Sequence, residues 1–321
     1  MAIINKILEM SPIALMLATP LIIAGLGGLY SERSGVVNIA LEACMLIGAF
    51  ISATSLYYLS SANVPGAVWI TLLLAMIAGM AFISLHAWAS IHLRADQTIS
   101  GTALNVMAGG ITVYACEILF KGKSSTPFSV ASTFQYMNVA GLKDIPIIGP
   151  LLFGNVYPTT YLAIVFVVIT WFLLYKTPFG LRLRSCGEFP QASASMGINV
   201  VKMRWIAVLI SGALAGLGGG VLLLTTQTFF YGGSVHGLGF VAIATLIFGR
   251  WNPWGVLGAG IFFGFSQALG LYSTSIKALS FIPQMFFSMF PYIITIIAIV
   301  SFSGKSAGPK ASGEIYDASK R

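Results

Sequence analysis

The chain reads as blocks of apolar residues, each around twenty long, separated by short polar stretches. Nine such blocks run over 10–29, 35–58, 67–90, 97–119, 158–175, 205–226, 238–249, 253–272 and 286–302. A helix needs about 20 apolar residues to cross a hydrocarbon core roughly 30 Å thick. In lipid the backbone must satisfy its own hydrogen bonds, so each block is predicted to be a helix, with Pro20 and the many glycines tolerated. The seventh block, 238–249, is short, and on length alone it suits a re-entrant segment as well as a crossing. The first block is too long for the core of a signal peptide, lacks a basic leader and is followed by further spans, so it is expected to stay attached.

Composition agrees with this pattern. Apolar types make up 57% of the 321 residues, charged types only 8%, and the mean hydropathy is +0.89. A soluble protein carries about a quarter charged residues. The predicted fold class is therefore all-α, a polytopic membrane bundle of about nine spans. Its transmembrane domain is expected over 1–304, with a disordered cytoplasmic tail over 305–321.

Basic residues set the orientation. With the stretch 176–204 inside and nine crossings, the inside set is Arg33, Arg94, Lys176, Arg182, Arg184, Lys202, Arg204, Arg250, Lys305, Lys310, Lys320 and Arg321. The outside set is Lys6, Lys121, Lys123, Lys143 and Lys277. Twelve against five follows the positive-inside rule, with the amino terminus outside and the tail inside. A seventh block that failed to cross would put the basic tail outside, so it is taken as crossing, short or tilted. All six tryptophans lie near predicted span ends, where indoles favour the headgroup region. The net charge of +8 thus reports topology and gives no case for nucleic acid, which needs a basic face in water.

Small residues mark where helices approach. Gly212, Gly216 and Gly220 form two consecutive GxxxG steps, and Gly260 with Gly264 forms another. One string, Ala-Gly-Leu-Gly-Gly, occurs at both 24–28 and 215–219; a duplicated half or chance would each explain it.

Several chemistries drop out. Gly304-Lys305-Ser306 resembles the end of a phosphate loop, but Ile299 stands where that motif needs glycine. The string from Gly237 to Ala242 matches a dinucleotide fingerprint without a βαβ context. His86, His92 and His236 have no metal-ligand spacing, and Cys44, Cys116 and Cys186 form no pair motif. No cofactor and no enzymatic constellation is indicated. The informative groups are polar ones inside apolar blocks: Asn38, Glu42, Asn105, Glu117, Gln227 and Gln267. Asn38 and Glu42 share a helix face if the block is helical there. A carboxylate near mid-span costs about 2.5–3.5 kcal/mol, so Glu42 must face protein or a water-filled cavity. Such groups either bond between helices or line a path.

Between 176 and 204, Pro190 suits the first turn of a helix and Gly197 a left-handed stop. The two-turn helix so defined is either a surface connector or a docking helix for a soluble partner.

This stretch, Gly187-Glu188-Phe189-Pro190-Gln191-Ala192 through Gly197-Ile198-Asn199, followed by Ser211-Gly212-Ala213-Leu214-Ala215-Gly216, resembles the permease subunits of bacterial ATP-binding-cassette importers for nucleosides, ribose-type sugars and branched-chain amino acids. Gly27 through Glu42 is most similar to the nucleoside-type members, and Phe248 through Gly255 is a third match. The resemblance implies a bacterial cytoplasmic-membrane permease that binds no ATP itself. Two permeases would form the pore, ATPase subunits would dock beneath, and an external binding lipoprotein would deliver substrate. Glu188, Phe189, Pro190, Gln191, Ala192, Met196 and Gly197 would then belong to the ATPase-coupling helix, with Glu188 its cap because Phe189 stands where asparagine is common. The stretch 120–157 would receive the binding protein. Asn38, Glu42, Asn105, Gln227 and Gln267 would offer amide and carboxylate partners along a nucleoside path. Ribose-type sugar is the alternative substrate. An ion-coupled secondary transporter is the other class, for which Glu42 alone supplies a clear midplane carboxylate.

Overall fold

A computed structural model describes residues 2–129, 133–137, 153–272 and 308–317, with isolated positions 286, 289 and 293. The expected span 286–302 otherwise lies outside the described residues. Helices α1 (Ala2–Arg33), α2 (Leu41–Ser61), α3 (Ala67–Ala87, extended by a wider turn over Trp88–His92) and α4 (Gln97–Phe120) lead to α5 (Pro158–Lys176). Two short helices follow, α6 (Pro178–Glu188) and α7 (Pro190–Ser195), then α8 (Val200–Thr226), α9 (Leu238–Phe248) and α10 (Pro253–Tyr272). Among the described residues there is no strand, only isolated bridges at Ser124–Tyr231 and Met137–Val156. Seven helices among the described residues are long and apolar enough to cross a membrane.

The core is organised around α8, which packs on α1, α2 and α3. Apolar burial provides little drive in lipid, so backbones must come close enough for dispersion to act. Glycine makes that approach possible. A Cβ on Gly48 of α2 would collide with the Gly216 carbonyl, and one on Gly219 with the Met45 carbonyl. Gly212 and Gly216 lie against Gly79, Ile83 and Ala75 of α3, while Gly220 faces Ser52 and Ala75. Gly260 and Gly264 of α10 lie against Ile22, Ala14 and Ala18 of α1. The two Ala-Gly-Leu-Gly-Gly strings meet each other. A Cβ on Gly27 would lie 2.7 Å from the Ser211 carbonyl, and one on Gly218 3.0 Å from the Pro20 carbonyl and 3.3 Å from the Ala24 Cβ. Their shared sequence is thus used in a single antiparallel contact of α1 with α8.

Two features depart from the expected layout. The block 35–58 is not helical at its start, because the chain breaks over 34–40 before α2 begins at Leu41. Gly35, at φ +92°, begins the break, and the Asn38 side chain accepts the Ala40 N–H. The second departure is α9. Its 11 residues span only about 16 Å at 1.5 Å per residue, half the hydrocarbon thickness. Before it, Phe230 and Thr228 bond to Ser125 and Phe128, beyond the end of α4. After it, the Trp251 carbonyl accepts from Arg33 at the end of α1. The stretch from 228 to 251 therefore runs from one end of the bundle to the other, with helix only in its second half.

Substituting Gly48→Val should lower stability by at least about 2 kcal/mol, since the added side chain meets backbone that cannot retreat. Gly109→Ala, with nothing within 4 Å of the new Cβ, should leave the detergent melting temperature unchanged or slightly raised. Equal melting of the two variants would contradict this packing.

Candidate functional site: a polar junction and a helical platform

The break between α1 and α2 is buried inside a membrane protein, where every free backbone group must find a partner. Ser34 and Gly35 donate their N–H groups back to Ser31 and Glu32, closing the end of α1. Beyond them, side chains from neighbouring helices take over. The Val37 N–H donates to Gln97 Oε1 of α4 at 2.7 Å, and the Val37 carbonyl lies 3.1 Å from His86 Nε2 of α3. A carbonyl can only accept, so His86 carries its proton on Nε2. In the neutral ring, Nδ1 then accepts from the Ser100 hydroxyl at 3.1 Å. Asn38 donates to the Ser211 hydroxyl of α8 at 2.8 Å. Asn105 of α4 accepts the Ala43 N–H at 2.9 Å and donates to the Ile39 carbonyl at 3.2 Å.

Glu42 completes the junction. Its two carboxylate oxygens accept the N–H groups of Gly237 and Gly239 at 2.9 and 2.7 Å, at the start of α9. The first N–H groups of a helix have no partner within it, and they carry the positive end of its dipole. A carboxylate answers both demands. Gly237 is left-handed at φ +80°, and a Cβ on Gly239 would collide with the Glu42 backbone, so both glycines are needed for this approach. Because Val241 of α9 packs with Leu21 near the middle of α1, and Gly25 lies against Ala242, the clamp sits partway along the bundle.

Asn38, Glu42 and Asn105 are therefore brought together, with all these amide and carboxylate groups engaged in holding backbone. Gln227 lies apart, at the end of α8. Its amide donates to the Ser234 carbonyl at 2.8 Å, while Oε1 is buried without a partner among the described residues. Gln267 is half-buried on α10 and shares no hydrogen bond with the junction. Among the described residues, no three His, Cys, Asp or Glu side chains gather as a metal site requires.

At the Arg33 end, α6 and α7 form a platform. The sequence reading passed over α6, although Thr177-Pro178 is a start signal: the Thr177 hydroxyl accepts the Gly180 N–H and Pro178 opens the first turn. Gly187 lies hard against the Arg33 carbonyl. Helix α7 follows, and Gly197 takes the left-handed stop at φ +80°. No side chain caps α7. Glu188, expected as its cap, is the last residue of α6, and Phe189 occupies the cap position with its N–H bonded to the Ser185 carbonyl. Pro190 and Ser193 face inward, whereas Gln191, Ala192 and Ser195 are exposed. Phe189 and Met196 flank them, 57% and 82% exposed, two apolar side chains that no described residue covers fully.

Residues 13–299 match the family described as the permease component of branched-chain amino acid transport systems. The chain belongs to this permease family. It is 46% identical over 310 residues to the guanosine ABC transporter permease protein NupQ of Bacillus subtilis, covering 97% of each chain. It is 39% identical over 322 residues to the nucleoside ABC transporter permease protein NupC of Lactococcus lactis subsp. cremoris, covering 100% of each. The putative glucose ABC transporter permease protein TsgC13 of Haloferax volcanii is 33% identical over 264 residues, 81% of this chain and 76% of the other. The permease is thus a multi-pass membrane transport subunit and not an enzyme. Such a subunit associates with an ATPase and a substrate-binding protein.

Replacing Glu42 by Ala strips two N–H groups of their acceptor and should destabilise the start of α9 by about 2–4 kcal/mol. Amide exchange at Gly237 and Gly239 should accelerate accordingly, and Glu42→Gln, which keeps one acceptor oxygen, should fall between. Unchanged protection at both amides in Glu42→Ala would contradict the clamp.

Proposed function

We propose that this permease imports nucleosides. The observation that carries the proposal is its similarity, over nearly its whole length, to guanosine and nucleoside permeases at 46% and 39% identity. The chemistry is compatible. A nucleoside presents hydroxyls and ring nitrogens without fixed charge, so it is best served by amide and hydroxyl partners. Gln227, whose Oε1 is buried with no partner among the described residues, keeps an acceptor free for such a ligand once the surrounding side chains move aside. Asn38, Glu42 and Asn105 shape the path by holding the break and α9 in place, and Gln267 lies further along it. A ribose-type sugar would use the same groups. Uptake of labelled guanosine, uridine and ribose, in cells with and without the gene, decides between them. Loss of nucleoside uptake is expected, and loss of ribose uptake alone would overturn the proposal. Vanadate should abolish the uptake, whereas sensitivity only to proton or sodium uncouplers would indicate a secondary transporter.

The proposed assembly has two permeases around one pore, with ATPase subunits on one side and a binding lipoprotein on the other, in a bacterial cytoplasmic membrane. The transmembrane domain covers 1–304. Helix α7 with its flanks, Glu188 to Gly197, is the part that docks into the ATPase, presenting Phe189, Gln191, Ala192 and Met196 while Pro190 and Gly197 set its start and stop. The stretch 120–157 receives the binding protein. In support, a cleft of about 660 Å³ opens there between the α2–α3 turn and residues 133–137, lined by Asn63, Trp69, Phe134 and Met137. The chain crosses nine times with its amino terminus outside and its tail inside, the 228–251 stretch making one crossing as an irregular half followed by α9. The twelve-to-five distribution of basic residues supports that orientation.

Labelling tests the orientation. A cysteine at the exposed position Ser195 should react with a membrane-impermeant maleimide only from the cytoplasmic side. The natural Cys186, nine positions earlier, should stay unreactive at neutral pH. Burial pushes its thiol up, and the nearby Arg204 charge and the Ser193 and Ser185 hydroxyls lower it only in part. A raised value means less thiolate at any given pH, so its labelling should rise only in alkali. Labelling of position 195 from outside intact cells would reverse the topology.

A further inference from the structure

The stretch expected as a disordered tail is, over 308–317, laid across the α6–α7 platform. Gly308 lies against the Trp251 ring in the turn between α9 and α10. Lys310 places its ammonium over the Phe189 ring at 5.0 Å, and the Ala311 N–H donates to the Gly187 carbonyl at 2.9 Å. The Gly313 N–H donates to the Gly35 carbonyl in the α1–α2 break. Gly313 is left-handed at φ +83°, which turns the chain at that point. Arg204, at the start of α8, then donates to the Glu314 carbonyl at 2.9 Å and sits over the Tyr316 ring. Asp317 pairs with Arg94 in the α3–α4 turn at 3.1 Å.

Ten residues thus touch the α6–α7 junction and the turns or starts of α2, α4, α8 and α10. Arg204 shows how firmly the segment is held. It is 3% exposed and forms no ion pair among the described residues. Its partners are the Ser34 carbonyl, the Glu314 carbonyl and the Tyr316 ring, two of the three from this segment. A buried guanidinium loses its solvation, and Nη2 has no hydrogen-bond partner among the described residues, so removing the Glu314 carbonyl and the Tyr316 ring would leave still more of the group unsatisfied. Meanwhile α7 itself has few ties to the bundle. Its own junction with α6 meets the break through Gly187, and Ala311 and Gly313 join those same two places a second time.

We propose that Gly308–Asp317 is a transmission strap, joining the docking helix to the α1–α2 break and to α8 so that displacement of α7 is passed to the elements around the polar junction. This rests on the reading of α7 as the ATPase-docking helix. The experiment uses the complete transporter, with ATPase and binding protein, in proteoliposomes. It records ATP hydrolysed per molecule of nucleoside taken up, together with ATPase association and melting temperature. Two variants detach the strap: truncation after Ala307, and Ala311→Pro, which removes the N–H held by Gly187. Ile315→Ser, at an exposed strap position, is the control. The expected result is a several-fold rise in ATP consumed per nucleoside in both variants, with association within about twofold of the unaltered complex and the control unchanged. An unaltered ratio would overturn the strap as a transmission element, whatever the melting temperature does. Loss of association would make it part of the docking surface, and failure of both variants to insert would make it a folding element; either overturns the proposal. Met196→Asp separates the two readings. If it leaves ATPase association intact, α7 is not the docking helix; if it breaks association while the strap variants keep the normal ratio, only the strap proposal fails.

Discussion

The structure depends on one constraint: a backbone N–H or C=O within a membrane protein costs several kcal/mol if it goes unpaired. Continuous helices meet that constraint alone. The break over 34–40 and the start of α9 do not, and the polar side chains of the membrane region are recruited to them. Gln97 and His86 take the two backbone groups of Val37, Asn105 takes groups of Ile39 and Ala43, and Glu42 takes two amides of α9. Most of this irregular backbone is held by side chains from other helices. The same bonds that satisfy the break therefore also fix α2 against α3, α4, α8 and α9.

A buried carboxylate and a half-length helix would each be costly in isolation. Together they offset one another, because the helix start offers two unpaired donors and a partial positive charge where Glu42 offers two acceptors and a negative one. This explains why a carboxylate occupies position 42, one residue into α2, and why glycine stands at both 237 and 239. An amide side chain would supply one acceptor for two donors. Any Cβ at 239 would push the helix start out of reach.

Apolar block length carried most of the fold in the sequence. The expected spans at 67–90, 97–119, 158–175 and 253–272 fall within a few residues of α3, α4, α5 and α10, since lipid thickness acts on length directly. The same signal misplaced the start of α2, because Val36, Val37 and Ile39 are apolar whether or not they are helical. The seventh block, 238–249, coincides with α9, but hydropathy left open whether so short a helix crosses, because it does not report the irregular chain from 228 that leads into it. Glu42 stood out from the sequence as the clear midplane carboxylate, but its partners are backbone groups 195 and 197 positions away, which no side-chain pattern records. The strap was illegible for a similar reason. Most of its residues, among them Gly308, Pro309, Lys310, Ser312, Gly313 and Glu314, are types common in a free tail, and what holds it is a set of carbonyls and one buried arginine on other elements.

The distribution of glycine and of polar braces divides the molecule mechanically. Where α8 meets α2, α3 and α1, glycines bring backbone against backbone at several points, and such contacts have one arrangement: a shift of an ångström either collides or opens a gap. Polar braces are different, since a carboxylate or amide can exchange one backbone partner for another at modest cost when the loss of one bond accompanies the gain of the next. The braces are concentrated at the break and at the start of α9, and the break reaches the α6–α7 platform through Gly35 and Gly187. The glycine-packed core thus supplies a fixed frame, and the α1–α2 break with α9 is the part of the bundle whose stability rests on a handful of replaceable hydrogen bonds. In a transport subunit these demands belong to different regions, and this chain separates them by residue type.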